Sequence, residues 1–435
     1  MDEPELASLL REHASRHSVP GAALGIHRDG TISTAYYGVA DVTTGDPITS
    51  ETAFSVASLT KSMVSTVVAR LAQAGRLSLD DPVAVHVPEV RGGGWAERST
   101  LRDLLANRSG LPLRERLEFG FAGHPDADDA AISRLATEIE IDRNVPRTHF
   151  WSYSNVGWCL LGRAIETATG STWEDAMRHL LFEPAGMLET TFATEPDSRP
   201  RVSGHEITPR GPVPVAPDAA RAYGPAGTTA ISTVADLLRF AAMHLEDPSM
   251  AMLRVAHADV AIHGWLDAWG LGWARFDWEG GEVWGWDGLI AGERSVLRLL
   301  PDRRAAIVLM TNASTGRAMY RSLYGELMEP VFQIRVPPLR LESSPGAAGD
   351  LSRYSGVYAW PDRRVEVTAT VGGLHIADVG NRTEALPVDE RTFVVDAADP
   401  DNPTVTFGAF DAAGRPHVLY EMLWGLPRTP DTGPP

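Results

Sequence analysis

Lysine is almost missing from this chain. Of 39 basic side chains in 435 residues, Lys61 is the only lysine and the other 38 are arginine. Cysteine is equally scarce: Cys159 stands alone, which excludes an internal disulfide, and its place in the apolar run WCLLG reads as a buried, inert thiol. No run of about 18 apolar residues is present to span a bilayer as a helix. Gly-x-Ser-x-Gly is absent, which removes the α/β-hydrolase reading, and there is no Walker loop or convincing Rossmann fingerprint. Positive charge is in deficit, and a net charge of −18 argues against nucleic acid and anionic membrane surfaces as partners. The N-terminal stretch MDEPELASLLREHASRHSVPG lacks a basic region, an uninterrupted apolar segment and a cleavage site, so a cytoplasmic protein is expected. His13 and His17 in that stretch are spaced for one helix face with no evident third ligand, which reads as a solvated face and not as a metal site.

The scarcity makes Lys61 conspicuous. Arginine stays protonated in a protein, whereas lysine releases its proton when its surroundings lower its pKa. A codon bias toward arginine would also deplete lysine, but its survivor would have no reason to fall at a particular place. Lys61 falls three residues after Ser58, in SVASLTKSM. The segment 58–74 reads as a helix, carrying Leu59, Met63, Val64, Val67, Val68 and Leu71 and stopping at Gly75. Residues at i and i+3 share a helix face, so Lys61 is placed against the Ser58 hydroxyl. The positive end of the helix dipole and burial on an apolar helix both disfavour an ammonium there. The pair therefore reads as a nucleophile with its base.

A second stretch, FWSYSNVGWCLLGRAIE, sets Tyr153 and Asn155 just before an apolar helix, where side chains project into a cleft. A tyrosine hydroxyl is a poor base unless a nearby cation favours the phenolate. Taken alone, the pair also reads as a packing tyrosine followed by an N-capping asparagine.

The order of elements places these segments. After a first helix come two strands joined at Asp29-Gly30, a strong hairpin signal. Residues 80 to 205 are mainly helical, 202 to 224 form a Pro- and Gly-rich loop, and Ser232-Thr233-Val234-Ala235-Asp236 caps another helix. Strands return from 260, with a turn at Pro301-Asp302, and a helix over 315–332 follows. The linker LESSPGAAGD at 341–350 leads to a segment, 351–435, that alternates strand-like runs with turns. The expected class is α/β (α+β): one mixed sheet built from both ends of residues 1–340 with a helical insertion at about 80–205, then a small all-β domain.

Ser58-Leu59-Thr60-Lys61 together with Tyr153-Ser154-Asn155 resembles the first two motifs of the serine β-lactamase and penicillin-binding-protein superfamily. The class C-like branch, with family VIII carboxylesterases, D-aminopeptidases and some transacylases, is the most similar. Further similarity lies in Val19-Pro20-Gly21, Leu104-Leu105, Ser109-Gly110-Leu111-Pro112, Pro184-Ala185-Gly186-Met187, Ser232-Thr233 with Asp236, and Gly270-Leu271-Gly272-Trp273. The segment after 350 resembles the lipocalin-like barrel that some members append. The resemblance implies acyl transfer through an ester on Ser58, with Lys61 and Tyr153 handling its proton and Asn155 orienting Lys61 and the substrate. It implies an oxyanion hole from the backbone N–H groups of Ser58 and Leu289, and no metal or organic cofactor.

The third motif departs from that pattern. Where relatives carry Lys-Thr-Gly or His-x-Gly, this chain has Trp286-Asp287-Gly288, which the resemblance sets against the substrate. Tryptophan offers one N–H and no charge, so a carboxylate-bearing lactam or cell-wall peptide loses the cation that usually helps hold it. Asn107-Arg108 stands where relatives usually carry a histidine, a change that nothing in the sequence explains. The expected partners are a small-molecule ester or amide donor and an amine or alcohol acceptor, or water. Trp265, Trp269, Trp273, Trp278, Trp284 and Trp286 crowd the neighbourhood and are expected to divide between core packing and the walls of a dry pocket. The alternatives are a D-amino-acid amidase or peptidase, a β-lactamase, and a catalytically idle ligand-binding relative. Oligomeric state has no signature in the sequence.

Overall fold

A computed structural model describes residues 2–92, 94–111, 129–138, 150–216, 220–360, 363–378, 380–399 and 403–430. Pro112, the end of one motif noted above, lies outside them. The Asp29-Gly30 signal is realised: β1 (Gly21–Arg28) and β2 (Thr31–Gly38) pair antiparallel, and both turn residues take the positive φ that a two-residue hairpin requires. Ahead of them, α1 (Glu3–Arg16) starts at a capping box in which Asp2 accepts the Glu5 N–H. His13 departs from the solvated face expected of it. It is fully buried, with Nε2 3.0 Å from Glu326 and Nδ1 2.9 Å from Ser322, so it ties α1 to a helix more than 300 residues away in sequence.

The helices that follow are α2 (Thr60–Gln73), α3 (Asn155–Thr169) and α4 (Val234–Glu246), with shorter helical turns between them. Six strands come next: β3 (Ala258–Ile262), β4 (Leu266–Trp269), β5 (Ala274–Phe276), β6 (Val283–Ile290), β7 (Glu293–Leu300) and β8 (Ala305–Thr311); α5 (Gly316–Phe332) closes this part of the chain. They join β1 and β2 in one eight-stranded sheet, order β2-β1-β8-β7-β6-β5-β4-β3, so both ends of the segment build it, and every registered pair is antiparallel. β8 reads Ala-Ala-Ile-Val-Leu-Met-Thr and is buried at every position, as a central strand covered on both faces must be. α4 packs so tightly that a Cβ on Gly25 would meet Leu238 Cδ1 at 2.6 Å.

One loop expectation is corrected. Within 202–224, Gly204–Thr208 and Gly211–Val215 form a two-stranded ribbon, with Pro212 opposite Ile207 and Pro214 opposite His205. Proline argues against a central strand, but a two-stranded ribbon has only edges, where a missing N–H costs nothing.

The C-terminal part is an eight-stranded antiparallel meander from β9 (Gly356–Trp360) through β10 (Arg363–Ala369), β11 (Leu374–Asp378), β12 (Asn381–Pro387), β13 (Thr392–Val394), β14 (Thr404–Phe410) and β15 (Pro416–Glu421) to β16 (Trp424–Pro427). Tyr358 bridges Arg428, and the Thr429 N–H donates to Val357 O at 2.8 Å, drawing the last strand back onto the first into a near-barrel. Its core is aromatic: Tyr354 meets Phe393 and Phe407 edge-on at 5.1 and 4.9 Å.

Candidate active site

A short strand, Phe54–Ser55, pairs with Ile231–Ser232 and runs into a tight 3₁₀ turn, Ala57–Leu59, before α2 begins at Thr60. The helix expected from residue 58 is thus one tight turn followed by α-helix, and the i,i+3 relation survives. The bend is strained, since Ala57 sits at φ 49°, where an alanine rarely goes. Two glycines let other backbone close around it. A Cβ on Gly227 would fall 2.3 Å from Ala57 O and 2.8 Å from Ser58 N, and one on Gly288 would fall 2.3 Å from Val56 O. Ser58 is left half-buried, facing a cavity of about 480 Å³.

Lys61 is fully buried, with Nζ 3.0 Å from Ser58 Oγ and donating to Ala226 O. Burial drives its pKa down to about 7. A neutral amine held this way keeps one N–H on the carbonyl and turns its lone pair to the serine hydroxyl.

Tyr153 is the second side chain bonded to Ser58. Its hydroxyl bonds Ser58, and Trp286 Nε1–H donates to it at 3.3 Å. Burial raises the phenol well above its ordinary value, so Tyr153 stays protonated, while Lys61 Nζ lies 4.9 Å from its ring centroid. The four side chains form one hydrogen-bonded series: Trp286 N–H donates to the Tyr153 oxygen, the Tyr153 and Ser58 hydroxyls are bonded to each other, and Lys61 Nζ is bonded to Ser58 Oγ. Trp286 is held in place by Trp269, edge-on at 4.7 Å, and is 2% exposed.

The remaining expected residues are placed less uniformly. Asn155 opens α3, but Ser154 is the N-cap, its Oγ accepting the Gly157 N–H at 3.1 Å. Asn155 Oδ1 has no hydrogen-bond partner among the described residues, so the expected orientation of Lys61 by Asn155 is not formed through that oxygen. The Ala226 carbonyl occupies the lysine instead. Asn155 does line the cavity, as do Leu289 and Asp287. Asp287 Oδ1 is held at 2.5 Å by Nη1 of Arg298, a buried guanidinium that also donates to Tyr320 at 2.7 Å and stacks on Phe276 at 3.9 Å. Gly288 brings β6 against the nucleophile turn, which sets Leu289 beside Ser58 at the cavity wall.

Of the six clustered tryptophans, Trp265 and Trp286 reach the cavity, whereas Trp269, Trp273, Trp278 and Trp284 are core. Sequence reading missed Ala226 and Gly227, and it missed Met422, Leu423 and Trp424, which line the cavity from the C-terminal barrel. Gly227 carried a signal, a glycine in a Gly-Pro-Ala-Gly run, but nothing in the sequence says which backbone it must admit. No group of three or more His, Cys, Asp or Glu side chains able to hold a metal ion occurs among the described residues. None of the described helices is long and apolar enough to cross a membrane.

A family model described as Beta-lactamase matches residues 6–326. Penicillin-binding protein 4 of Amycolatopsis lactamdurans is 31% identical over 364 residues, spanning 79% of this chain and 94% of that protein. Among solved structures, SurE superimposes with a TM-score of 0.79 at 28% identity, over 98% of this chain and 99% of that one, and it has also been solved with D-Leu. The D-amino acid amidase of Ochrobactrum anthropi SV3 shares the fold at a TM-score of 0.60 and 24% identity, over 71% of this chain and 90% of that one.

Proposed function

The chain belongs to the beta-lactamase family of serine hydrolases and acyltransferases, and from that premise we propose that it is a transacylase. It moves the acyl group of a small-molecule ester or amide through an ester on Ser58 to an amine or alcohol, with water as the competing acceptor. The observation that carries this reading is the hydrogen-bonded series Trp286–Tyr153–Ser58–Lys61 opening on one cavity.

Ser58 Oγ attacks the donor carbonyl as its proton passes to the neutral Lys61 amine. The N–H groups of Ser58 and Leu289 hold the oxyanion. When the tetrahedral adduct collapses, Tyr153 gives its proton to the departing oxygen or nitrogen and regains one from the Lys61 ammonium. The acceptor then attacks the acyl-Ser58 carbonyl, loses its own proton to Lys61, and Oγ leaves with a proton returned through the same groups. Trp286 holds the Tyr153 oxygen with a neutral N–H. The site therefore presents no cation at that place for a substrate carboxylate, which favours plain esters and amides over lactams.

The required proton state sets the pH dependence. Lys61 acts only when neutral, so the rate of Ser58 acylation rises with pH and levels off above about 7. Single-turnover acylation rates measured from about pH 5 to 9 check this, and a flat profile would remove Lys61 as the base.

The acceptor is tested by partition. A bound amine in attack geometry outcompetes water because orientation is worth on the order of 7–11 kcal/mol in good intramolecular models. Adding amines or amino-acid derivatives is expected to yield amide at the expense of acid, increasingly so at mildly alkaline pH where the amine is unprotonated. Because SurE has been solved with D-Leu, D- and L-leucyl esters are the first donors to compare. An amide-to-acid ratio no greater than free-solution aminolysis would leave a plain esterase.

A further inference from the structure

The matched family segment ends at residue 326, yet one wall of the cavity comes from beyond residue 420. β15 and β16 form a hairpin in which Glu421 pairs with Trp424, leaving Met422 and Leu423 as a two-residue turn. Such turns favour asparagine or glycine because they need positive φ. Met422 takes φ 51° with a long, unbranched side chain that gains nothing from that conformation. Strain kept where glycine would relieve it points to a use for the side chain.

The hairpin is docked on the catalytic part and not merely near it. The Tyr153 N–H donates to Leu423 O at 3.0 Å, and the Gly425 N–H donates to Ser152 Oγ at 3.1 Å. Leu423 is 7% exposed and packs with the core of the catalytic part, separate from the barrel's own core. Gly425 is needed for the approach, since a Cβ there would meet Trp151 O at 2.9 Å. The carbonyl that anchors the hairpin is thus bonded to the backbone of the residue whose hydroxyl touches Ser58. With that anchor in place, Met422 and Trp424, both half-buried, face the same cavity as Ser58, and Trp265, Leu289 and Ile290 also line it.

We propose that the tip of this barrel hairpin selects the acyl group, with Met422 and Trp424 forming an apolar wall that takes a branched or aromatic group of the donor. The inference rests on the acyl-transfer reading, because an acyl chain esterified to Ser58 must lie in this cavity. A flexible thioether beside an indole suits apolar groups of varied shape. Losing such contacts is worth tenfold or more in discrimination between a large and a small apolar substituent.

The test uses the full-length chain with p-nitrophenyl esters carrying acetyl, isovaleryl and phenylacetyl groups. Both kcat/KM and the mass of the Ser58 adduct are measured. Trp424→Ala is expected to lower the phenylacetyl-to-acetyl ratio of kcat/KM at least tenfold, and Trp424→Phe is expected to recover most of the ratio. Met422→Gly is the variant that a purely structural role would not affect adversely, since it relieves the backbone. It is expected to keep or raise the melting temperature and yet lower the isovaleryl-to-acetyl ratio. Parallel loss across all esters in every variant, with adducts still forming on Ser58, would overturn this inference alone. A wild-type chain that never acquires an adduct would overturn the acyl-transfer reading and this inference with it.

Discussion

Replacing Ser58 with alanine is expected to abolish ester turnover, by roughly 10⁴-fold or more, and to remove the acyl adduct seen by mass spectrometry. The size follows from the mechanism: without Oγ there is no covalent intermediate, and neither Lys61 nor Tyr153 is placed to attack in its stead. Stability should change by only about 1 kcal/mol, the worth of an ordinary hydrogen bond. Lys61 keeps its bond to Ala226 O, and Tyr153 keeps the Trp286 N–H. A folded variant with undiminished turnover, or an adduct on another residue, would end the nucleophile assignment. A wild-type chain that no activated ester labels would make it an idle, ligand-binding relative.

Lys61→Arg is expected to fall nearly as far as Lys61→Ala, on the order of 10²–10⁴-fold below wild type in kcat, the usual worth of a positioned base. Arginine preserves the charge but cannot release its proton, whereas burial has brought Lys61 to about 7, where it can. Comparing the two variants separates a proton-transfer role from an electrostatic one. Melting temperatures must accompany the rates, because a guanidinium is larger and position 61 is fully buried. Arginine activity within a few-fold of wild type would make Lys61 a fixed charge and nothing more.

How far the site was legible depends on sequence distance. Ser58 and Lys61 could be paired from the sequence because three residues along a helical turn are neighbours whatever the rest of the chain does. The β1–β2 hairpin was legible for the same local reason, in the chemistry of Asp29-Gly30. The family motifs carried Tyr153, Trp286 and Leu289 to the same cavity. Asn155 reaches the cavity, but its Oδ1 holds no hydrogen bond among the described residues, and a carbonyl from 165 residues away, Ala226 O, accepts from the lysine. Backbone acceptors have no residue type, so no sequence pattern announces them. The proline-bearing ribbon at 204–215 resembles a loop in sequence because proline's positional meaning depends on whether a strand has a neighbour on its N–H side.

The sequence by itself determined the element order, the α+β class with an appended all-β unit, and a serine with the chain's only lysine one helical turn away. These rest on short-range periodicity, on turn residues and on a composition in which one side chain is unique. Only the tertiary structure decided what surrounds that pair. It buried Lys61 deeply enough to free its proton, set Trp286 on the Tyr153 hydroxyl, and tied Asp287 to a buried arginine. It also brought Met422 and Trp424 from the far end of the chain to the cavity wall. Each of these depends on long-range packing of side chains and bare backbone, and distance in sequence carries no record of which distant surfaces will meet.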